Sequence, residues 1–180
     1  MIVVPRRVPL DVPKAKDSSH PATEPGGLAC EIGKKRPFDA PEQEVFLNLA
    51  RTTAVLGAEF TRLFREHGLS ESGYNVLRIL RGAGEDGSSC SRVGEHLVTP
   101  VPDVTRLIDG LVRRGLAKRS RGKQDGRVVI ARITPAGQAV LKRLDGPVLA
   151  LHKSQLEHMS RADLAELSRL LVAARGGGGR

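Results

Sequence analysis

Basic side chains are concentrated in one quarter of the chain. Residues 101–143 contain eleven Lys or Arg and three Asp or Glu, a net charge of +8, whereas all 180 residues carry a formal net charge of +9. Such side chains bind phosphate oxygens, and arginine also pairs with the edge of guanine. This clustering of basic residues predicts a surface that binds an anionic partner, and it favours nucleic acid over a membrane surface.

The segment TPVPDVTR at 99–106 carries small polar and methyl-bearing side chains beside Arg106. Methyl and methylene groups can contact a thymine methyl group, and arginine can pair with guanine. We expect Thr99 to cap a helix, with Pro100 and Pro102 in the first turn, where amide donors have no partner in any case. The segment therefore resembles the start of a helix that enters the major groove of DNA.

Apolar side chains must anchor this helix from its other side. Val104, Leu107, Ile108 and Leu111 recur at helical spacing, and Gly115 ends the pattern. A shorter helix is predicted just before it, in SRVGEHLV. Two short helices joined by a tight connection are typical of a helix-turn-helix.

A β-hairpin is predicted directly after the second of these helices. Residues 116–120 and 128–133 are strand-like, and the turn between them has glycines near both ends. A hairpin in this place is a wing, whose basic tip can lie over phosphates or enter a narrow minor groove. The tip is expected to carry Arg119, Arg121, Lys123 and Arg127.

Longer helices are predicted on both sides. One begins near Pro41 and ends at Gly68, a second is capped by Ser70, and another is capped by Thr134. The Asp-Gly-Pro at 145–147 is expected to interrupt that last helix, and Ser160 to cap the final one. The fold class is mainly α with a small β-hairpin wing, a winged helix-turn-helix with long N- and C-terminal dimerisation helices.

The composition of the two terminal segments predicts the boundaries of the folded domain. Residues 1–36 are proline-rich and are predicted to form an irregular extension, and residues 175–180 are predicted to form a flexible Gly-rich tail. The folded domain spans 37–174. Its DNA-binding lobe covers about 70–134, and its dimerisation helices about 41–67 and 135–174.

Several other function classes lack the residues they need. Cys30 and Cys90 fit no metal spacing, the histidines form no metal pattern, and no motif of a hydrolase or P-loop enzyme occurs. GAGEDG at 82–87 formally fits a dinucleotide motif, but it follows a helix and its acids would repel phosphate. We expect no enzyme activity, metal or cofactor. Because no secretory signal or membrane-spanning run is apparent, a cytoplasmic location is expected.

Four stretches, in order, are similar to the MarR family of bacterial transcription regulators: YNVLRILRGAG, CSRVGEHLVTPVPDVTRLIDGLVRRGLAKRSR, QDGRVVIARITPAGQAVL and HMSRADLAELSRLL. The resemblance covers about residues 42–172, and its most specific signals are Asp125-x-Arg127 and the IT-x-x-G of the following helix. It implies an obligate homodimer that binds a pseudo-palindromic double-stranded DNA operator. Because most members of the family are repressors, it also implies repression. It also implies release by a small phenolic or carboxylate ligand or by cysteine oxidation.

The resemblance also assigns site residues. The DNA-binding candidates from the resemblance are Thr99, Pro100, Val101, Pro102, Asp103, Thr105, Arg106, Lys123, Asp125 and Arg127, and the basic hairpin predicted above adds Arg119 and Arg121. The effector-binding candidates are Phe46, Leu49, Arg51, Tyr74 and Arg78, for which packing in the core or at the dimer surface is the competing interpretation. Cys90 is the redox candidate, against an ordinary packing role.

Two departures from the family pattern leave an alternative open. Gly110 and Gly126 stand where charged residues are usual in the family. A winged-helix protein-interaction module without DNA binding would fit the loss of these charges.

Overall fold

The computed structural model describes residues 27–122 and 128–176, which divide into two compact units on either side of the Arg51–Thr52 bond. Residues 1–26, 123–127 and 177–180 lie outside the described part. The helices and strands within it are α1 Leu28–Glu31, α2 Pro41–Glu66, α3 Glu71–Gly82, β1 Ser88–Ser89, α4 Cys90–His96, α5 Val104–Arg113, β2 Ala117–Arg121, β3 Val129–Ile133, α6 Pro135–Leu156 and α7 Arg161–Ala174.

The first unit contains α1 and the beginning of α2. Leu28, Ala29 and Phe38 are buried together, and Arg51 Nε lies 2.8 Å from Glu31 Oε2. The prediction of an irregular extension up to residue 36 is therefore wrong for residues 28–31. Burial of two apolar side chains against Phe38 stabilises a helix too short to form by itself.

The second unit has one hydrophobic core among its helices. Leu77 and Leu80 of α3, Ile108 of α5, and Leu141 and Leu144 of α6 are all fully buried. This core confirms the predicted mainly-α architecture, because apolar side chains at helical spacing in α3, α5 and α6 meet in it.

A small antiparallel sheet, in the order β1-β3-β2, packs beside these helices. The hairpin of β2 and β3 pairs Ala117 with Ile133 and continues to the ends of both strands, which confirms the predicted wing strands to within a residue. The two-residue strand β1 was not predicted. It pairs with β3. Gly87, directly before β1, has φ +69°, and a Cβ there would collide with the Ala131 carbonyl oxygen, so glycine is needed at this position.

Helix α6 does not break at Asp-Gly-Pro, contrary to the prediction. Pro147 lies inside the helix, while Leu144 and Val148 are buried on either side of it. Proline removes one helical hydrogen bond, but Gly146 has no Cβ to clash with the proline ring. Packing of the flanking residues therefore keeps one continuous helix.

Candidate nucleic-acid interface

Helices α4 and α5 form the helix-turn-helix. Ser89 begins α4 by accepting a hydrogen bond from Arg92 N at 3.3 Å, and α4 ends at His96. The buried Leu97 starts the turn, and α5 begins after Asp103, whose Oδ1 accepts from Arg106 N at 2.8 Å.

Asp103, rather than the predicted Thr99, is therefore the cap of the recognition helix. A proline disfavours helical backbone in the residue before it, so Pro100 and Pro102 act against helix at Thr99 and Val101. The two prolines shape the turn instead, and the helix starts at the first side chain after them that can accept an amide hydrogen bond.

The candidate DNA-contact residues near α5 lie on one exposed side. Ile108 and Leu111 are buried, while Thr105 and Arg106 are exposed. The turn residues that are exposed with them are Thr99, Pro100, Pro102 and Asp103. Val101 differs, because it is half-buried and packs against the core.

The wing supplies further cations. Arg121 is exposed at the end of β2, and Lys118 is exposed on the same strand. Lys123, Asp125 and Arg127 lie outside the described residues, so their contribution stays a prediction.

Arg119 is not at the hairpin tip as predicted, because it pairs with Ala131 in the middle of the ladder. Its Nη1 lies 2.6 Å from Asp109 Oδ1, and its Nη2 donates to the Thr105 carbonyl at 3.1 Å. Strand alternation was the signal that could have revealed this. Ala117, two residues earlier on the same face of β2, is buried, so Arg119 also belongs to the inner face.

The two cysteines occupy different surroundings. Cys90 is half-buried at the start of α4, with its Sγ 3.8 Å from Arg119 Nη2, whereas Cys30 is exposed in the first unit. The predicted redox candidate is thus the first residue of the helix-turn-helix itself.

A cleft of about 650 Å³ borders the end of α4 and the turn that follows it. Its lining includes Phe60, Phe64, Tyr74, Arg78, Val98, His96 and His152. The Phe64 and Tyr74 rings stack with centroids 4.4 Å apart, and those of Phe60 and His152 lie 4.5 Å apart.

Two of the five effector-site candidates, Tyr74 and Arg78, line this cleft. Arg78 Nη1 donates to Tyr74 Oη at 2.9 Å, and among the described residues it makes no ion pair. The other three lie in the first unit, where Phe46 and Leu49 are exposed and Arg51 pairs with Glu31.

Nothing in the sequence pattern indicates that two histidines share this cleft. His96 ends α4 and His152 lies on α6, more than fifty positions apart, and no local pattern relates them. Only the packing of α4, α3 and α6 brings them to one cavity.

Comparison with known proteins supports the same reading of the fold. A solved MarR transcription factor from Planctomyces limnophilus is 39% identical in sequence, covers 75% of this chain and 98% of its own length, and has a TM-score of 0.58. The chain belongs to the MarR family of transcription regulators. In this MarR-family chain, α4 and α5 are the helix-turn-helix and the β2–β3 hairpin is the wing.

More distant relatives of the MarR-family chain are also regulators. The HTH-type transcriptional repressor IacR of Pseudomonas putida is 27% identical over 126 residues, which are 70% of this chain and 74% of IacR. The structure of Bordetella bronchiseptica BpsR, whose DNA binding is regulated by 6-hydroxynicotinic acid, is 24% identical with a TM-score of 0.69 and covers 78% of this chain and 98% of its own. No family model matches the chain.

Neither a candidate metal site nor a helix able to span a membrane is found among the residues that the structure describes. Across residues 27–122 and 128–176, no group of three His, Cys, Asp or Glu side chains is arranged to hold a metal ion. Within the same ranges, every helix is too short or too polar to cross a bilayer.

Proposed function

We propose that this protein is a sequence-specific double-stranded DNA-binding regulator that acts as a homodimeric repressor. The observation that carries the proposal is the division of α5 into two sides. Ile108 and Leu111 anchor it in the core, while Thr105 and Arg106 stay exposed beside the wing. A helix held in this way can present its first turns to base edges in the major groove.

The charges of the same surface suit phosphates. Arg106 and Arg113 on α5 and Arg121 on β2 are exposed, and none of these three makes an ion pair with a described residue. Free guanidinium groups can replace the counterions of DNA, which gives affinity that falls steeply with salt concentration.

The exposed apolar side chains support a homodimer. Within the described ranges α7 has no buried residue, and its Leu167, Leu170 and Val172 are exposed. An amphipathic helix of this length gains little stability until its apolar side is covered. A twofold dimer would place two recognition helices on a pseudo-palindromic operator.

Selection from a random pool of DNA duplexes, followed by titration at several salt concentrations, tests the DNA-binding proposal. We expect the wild-type chain to recover a pseudo-palindromic site. Arg106→Ala should weaken binding about 5- to 150-fold if a base contact is lost, or lower the log–log salt slope by about 0.9 for each lost phosphate contact. Arg169→Ala, which removes an exposed arginine of α7, is the matched control.

Either of two results would count against DNA binding. One is that the wild-type chain recovers no duplex at physiological salt, which is what a protein-interaction module predicts. The other is that Arg106→Ala and Arg169→Ala bind the selected duplex equally well.

The cleft supports regulation by a small anionic aromatic ligand. The stacked rings of Phe64 and Tyr74 offer an apolar wall, and Arg78 offers a guanidinium group that makes no ion pair with a described residue, although Glu71 and Asp145 also line the cleft. The BpsR ligand, 6-hydroxynicotinic acid, is an aromatic carboxylate, which is the chemistry that a guanidinium fork binds well. His96 and Val98 line the same cleft, so a ligand there would touch the turn that leads into α5.

Release of the selected duplex by a panel of aromatic carboxylates and phenols, 6-hydroxynicotinic acid included, tests the effector proposal. A carboxylate hydrogen-bonded to a charged group contributes about 1.5–3 kcal/mol. Arg78→Gln should therefore raise the concentration of carboxylate needed for release by about tenfold or more, with DNA affinity unchanged. Equal sensitivity of wild type and Arg78→Gln would contradict this site.

A separate test concerns Cys90 as a redox sensor. If peroxide still releases the selected duplex from the Cys90→Ser variant, Cys90 is not the sensor.

A further inference from the structure

We propose that Arg119 is a positioning residue of the DNA-binding unit rather than a DNA contact. It ties the wing strand β2 to the recognition helix α5 and neutralises an acid on the exposed side of that helix. The proposal rests on the DNA-binding function proposed above, and it reverses the role that the sequence alone suggested for this arginine.

Both outer nitrogens of the Arg119 guanidinium group are already engaged within the protein. Nη1 lies 2.6 Å from Asp109 Oδ1, and Nη2 donates to the carbonyl oxygen of Thr105 at 3.1 Å. Thr105 and Asp109 are four residues apart, so the fork of one arginine spans one turn of α5. A rigid planar fork can hold two such acceptors at once, which a lysine ammonium group does less well.

The position of Arg119 in the sheet withdraws it from solvent. It lies on the inner face of β2, opposite Ala131 and two residues after the buried Ala117. Its side chain is 25% exposed, and its Nε is buried without a hydrogen-bond partner in the described part of the chain. A buried donor without a partner is unfavourable, so the contacts of Nη1 and Nη2 must hold the side chain in place.

The charge of Asp109 gives the pair a second consequence. Asp109 is 41% exposed on the helix that is proposed to approach DNA, where a free carboxylate would repel phosphate groups. Arg119 offsets that charge from inside the protein. Arg121, two residues along the same strand face, is exposed instead, and it is therefore the matched control for a cation that can reach phosphate.

Two measurements on the full chain separate positioning from contact. Amide hydrogen exchange without DNA reports on α5 directly. Arg119→Ala should speed exchange at residues 104–109 by about tenfold and leave the buried part of α6 unchanged, whereas Arg121→Ala should change neither. Binding to the duplex selected by the wild-type chain, over a range of salt concentrations, reports on DNA contact.

In the binding experiment we expect Arg119→Lys, which keeps the positive charge beside Asp109, to weaken affinity about tenfold or more with the salt slope unchanged. Arg119→Ala should weaken affinity at least as much, and adding Asp109→Asn should restore the wild-type salt slope because the net charge of the site is then unchanged. Arg121→Ala should lower the slope by about 0.9. Asp109→Asn should also weaken binding, and adding it to Arg119→Ala should cost little more, because the two residues act as one pair.

The opposite pattern would overturn the proposal. If Arg119 contacts phosphate, Arg119→Lys retains binding, the double variant Arg119→Ala/Asp109→Asn has a lower salt slope than the wild-type chain, and Asp109→Asn tightens binding by removing a negative charge. Unchanged exchange at residues 104–109 in Arg119→Ala also refutes it. If the wild-type chain selects no duplex, the proposed DNA-binding function fails, and the exchange experiment alone decides whether Arg119 orders α5.

Discussion

Short polar side chains begin five helices of the second unit in the same way. Each accepts a hydrogen bond from the amide nitrogen three residues later, and the five residues are Ser70, Ser89, Asp103, Thr134 and Ser160. This bond satisfies one of the amide donors that every helix leaves free at its N-terminus. At the residue scale, these caps set where the recognition helix and its neighbours start.

The cap of the recognition helix can be tested directly. Asp103→Ala should lower the free energy of unfolding by about 1 kcal/mol, because it leaves the Arg106 amide without an acceptor. Thr99→Ala, at the position first predicted to be the cap, should change it by less than about 0.5 kcal/mol. Urea unfolding followed by circular dichroism measures both. A larger loss in Thr99→Ala than in Asp103→Ala would contradict the assignment.

At the scale of elements, α3 and α6 are joined by an ion pair as well as by the core. Arg81 Nη1 and Nη2 each donate to a carboxylate oxygen of Asp145 at 2.9 Å. The hydrogen bond from Arg81 lowers the pKa of Asp145 below its ordinary value of 3.8, although desolvation acts in the opposite direction. The pair bridges the helix break that the sequence suggested, because Asp145 lies directly before Gly146 and Pro147.

The lowered pKa predicts how this pair responds to acid. Its contribution is present above the ordinary carboxyl pKa and is lost as the pH falls below about 4, through the lowered pKa of the folded state. Because both side chains are partly exposed, that contribution is at most about 1 kcal/mol. Asp145→Asn should therefore lower stability at pH 7 and flatten its dependence on pH in the acid range, as measured by thermal unfolding.

Glu166→Gln is the matched control for this prediction. Glu166 pairs with Arg169 three residues away on the same exposed helix, so its removal should change the acid dependence of unfolding much less than Asp145→Asn. Equal effects of the two substitutions would show that the bridge between α3 and α6 has no special role.

At the scale of the whole molecule, apolar side chains remain exposed in a chain that belongs to a family of DNA-binding regulators. Leu167, Leu170 and Val172 of α7 are 39%, 49% and 46% exposed. Scattered exposed leucines are ordinary, but a complete helix with no buried residue among those described is unusual for an amphipathic sequence. A second copy of the chain would cover this side.

The homodimer proposal predicts a change of mass after one substitution. Leu170→Glu should shift the wild-type dimer to monomer in sedimentation equilibrium, because it buries an unpaired charge in the interface. Ala162→Glu, at an exposed position about 80° from both Leu170 and Val172 around the same helix, should leave the dimer intact. A monomeric wild type, or a Leu170→Glu variant that stays dimeric, would contradict the proposal.

Local patterns predicted much of this architecture correctly. The order of the helices, the hairpin and the caps Ser70, Thr134 and Ser160 all depend on periodicity or on hydrogen bonds between residues close in sequence. The inward side of α5 followed from spacing alone, since Ile108 and Leu111 are indeed buried. Family membership could likewise be expected from the order of a few stretches.

Residues distant in sequence decided the continuity of α6 and the partner of Arg119, whereas the shift of the α5 cap from Thr99 to Asp103 follows from the neighbouring prolines. Packing of Leu144 and Val148 keeps α6 continuous through Pro147, and no local rule could show how strongly the core holds them. The Lys and Arg residues of 101–143 can be counted in the sequence, but the count does not show which arginines form ion pairs within the protein. Arg119 is bound to Asp109, ten residues away, because the folding of β2 against α5 brings an opposite charge within reach. Periodicity and charge are properties of the sequence itself. Ion-pair partners, burial and shared cavities arise only when separate elements pack together.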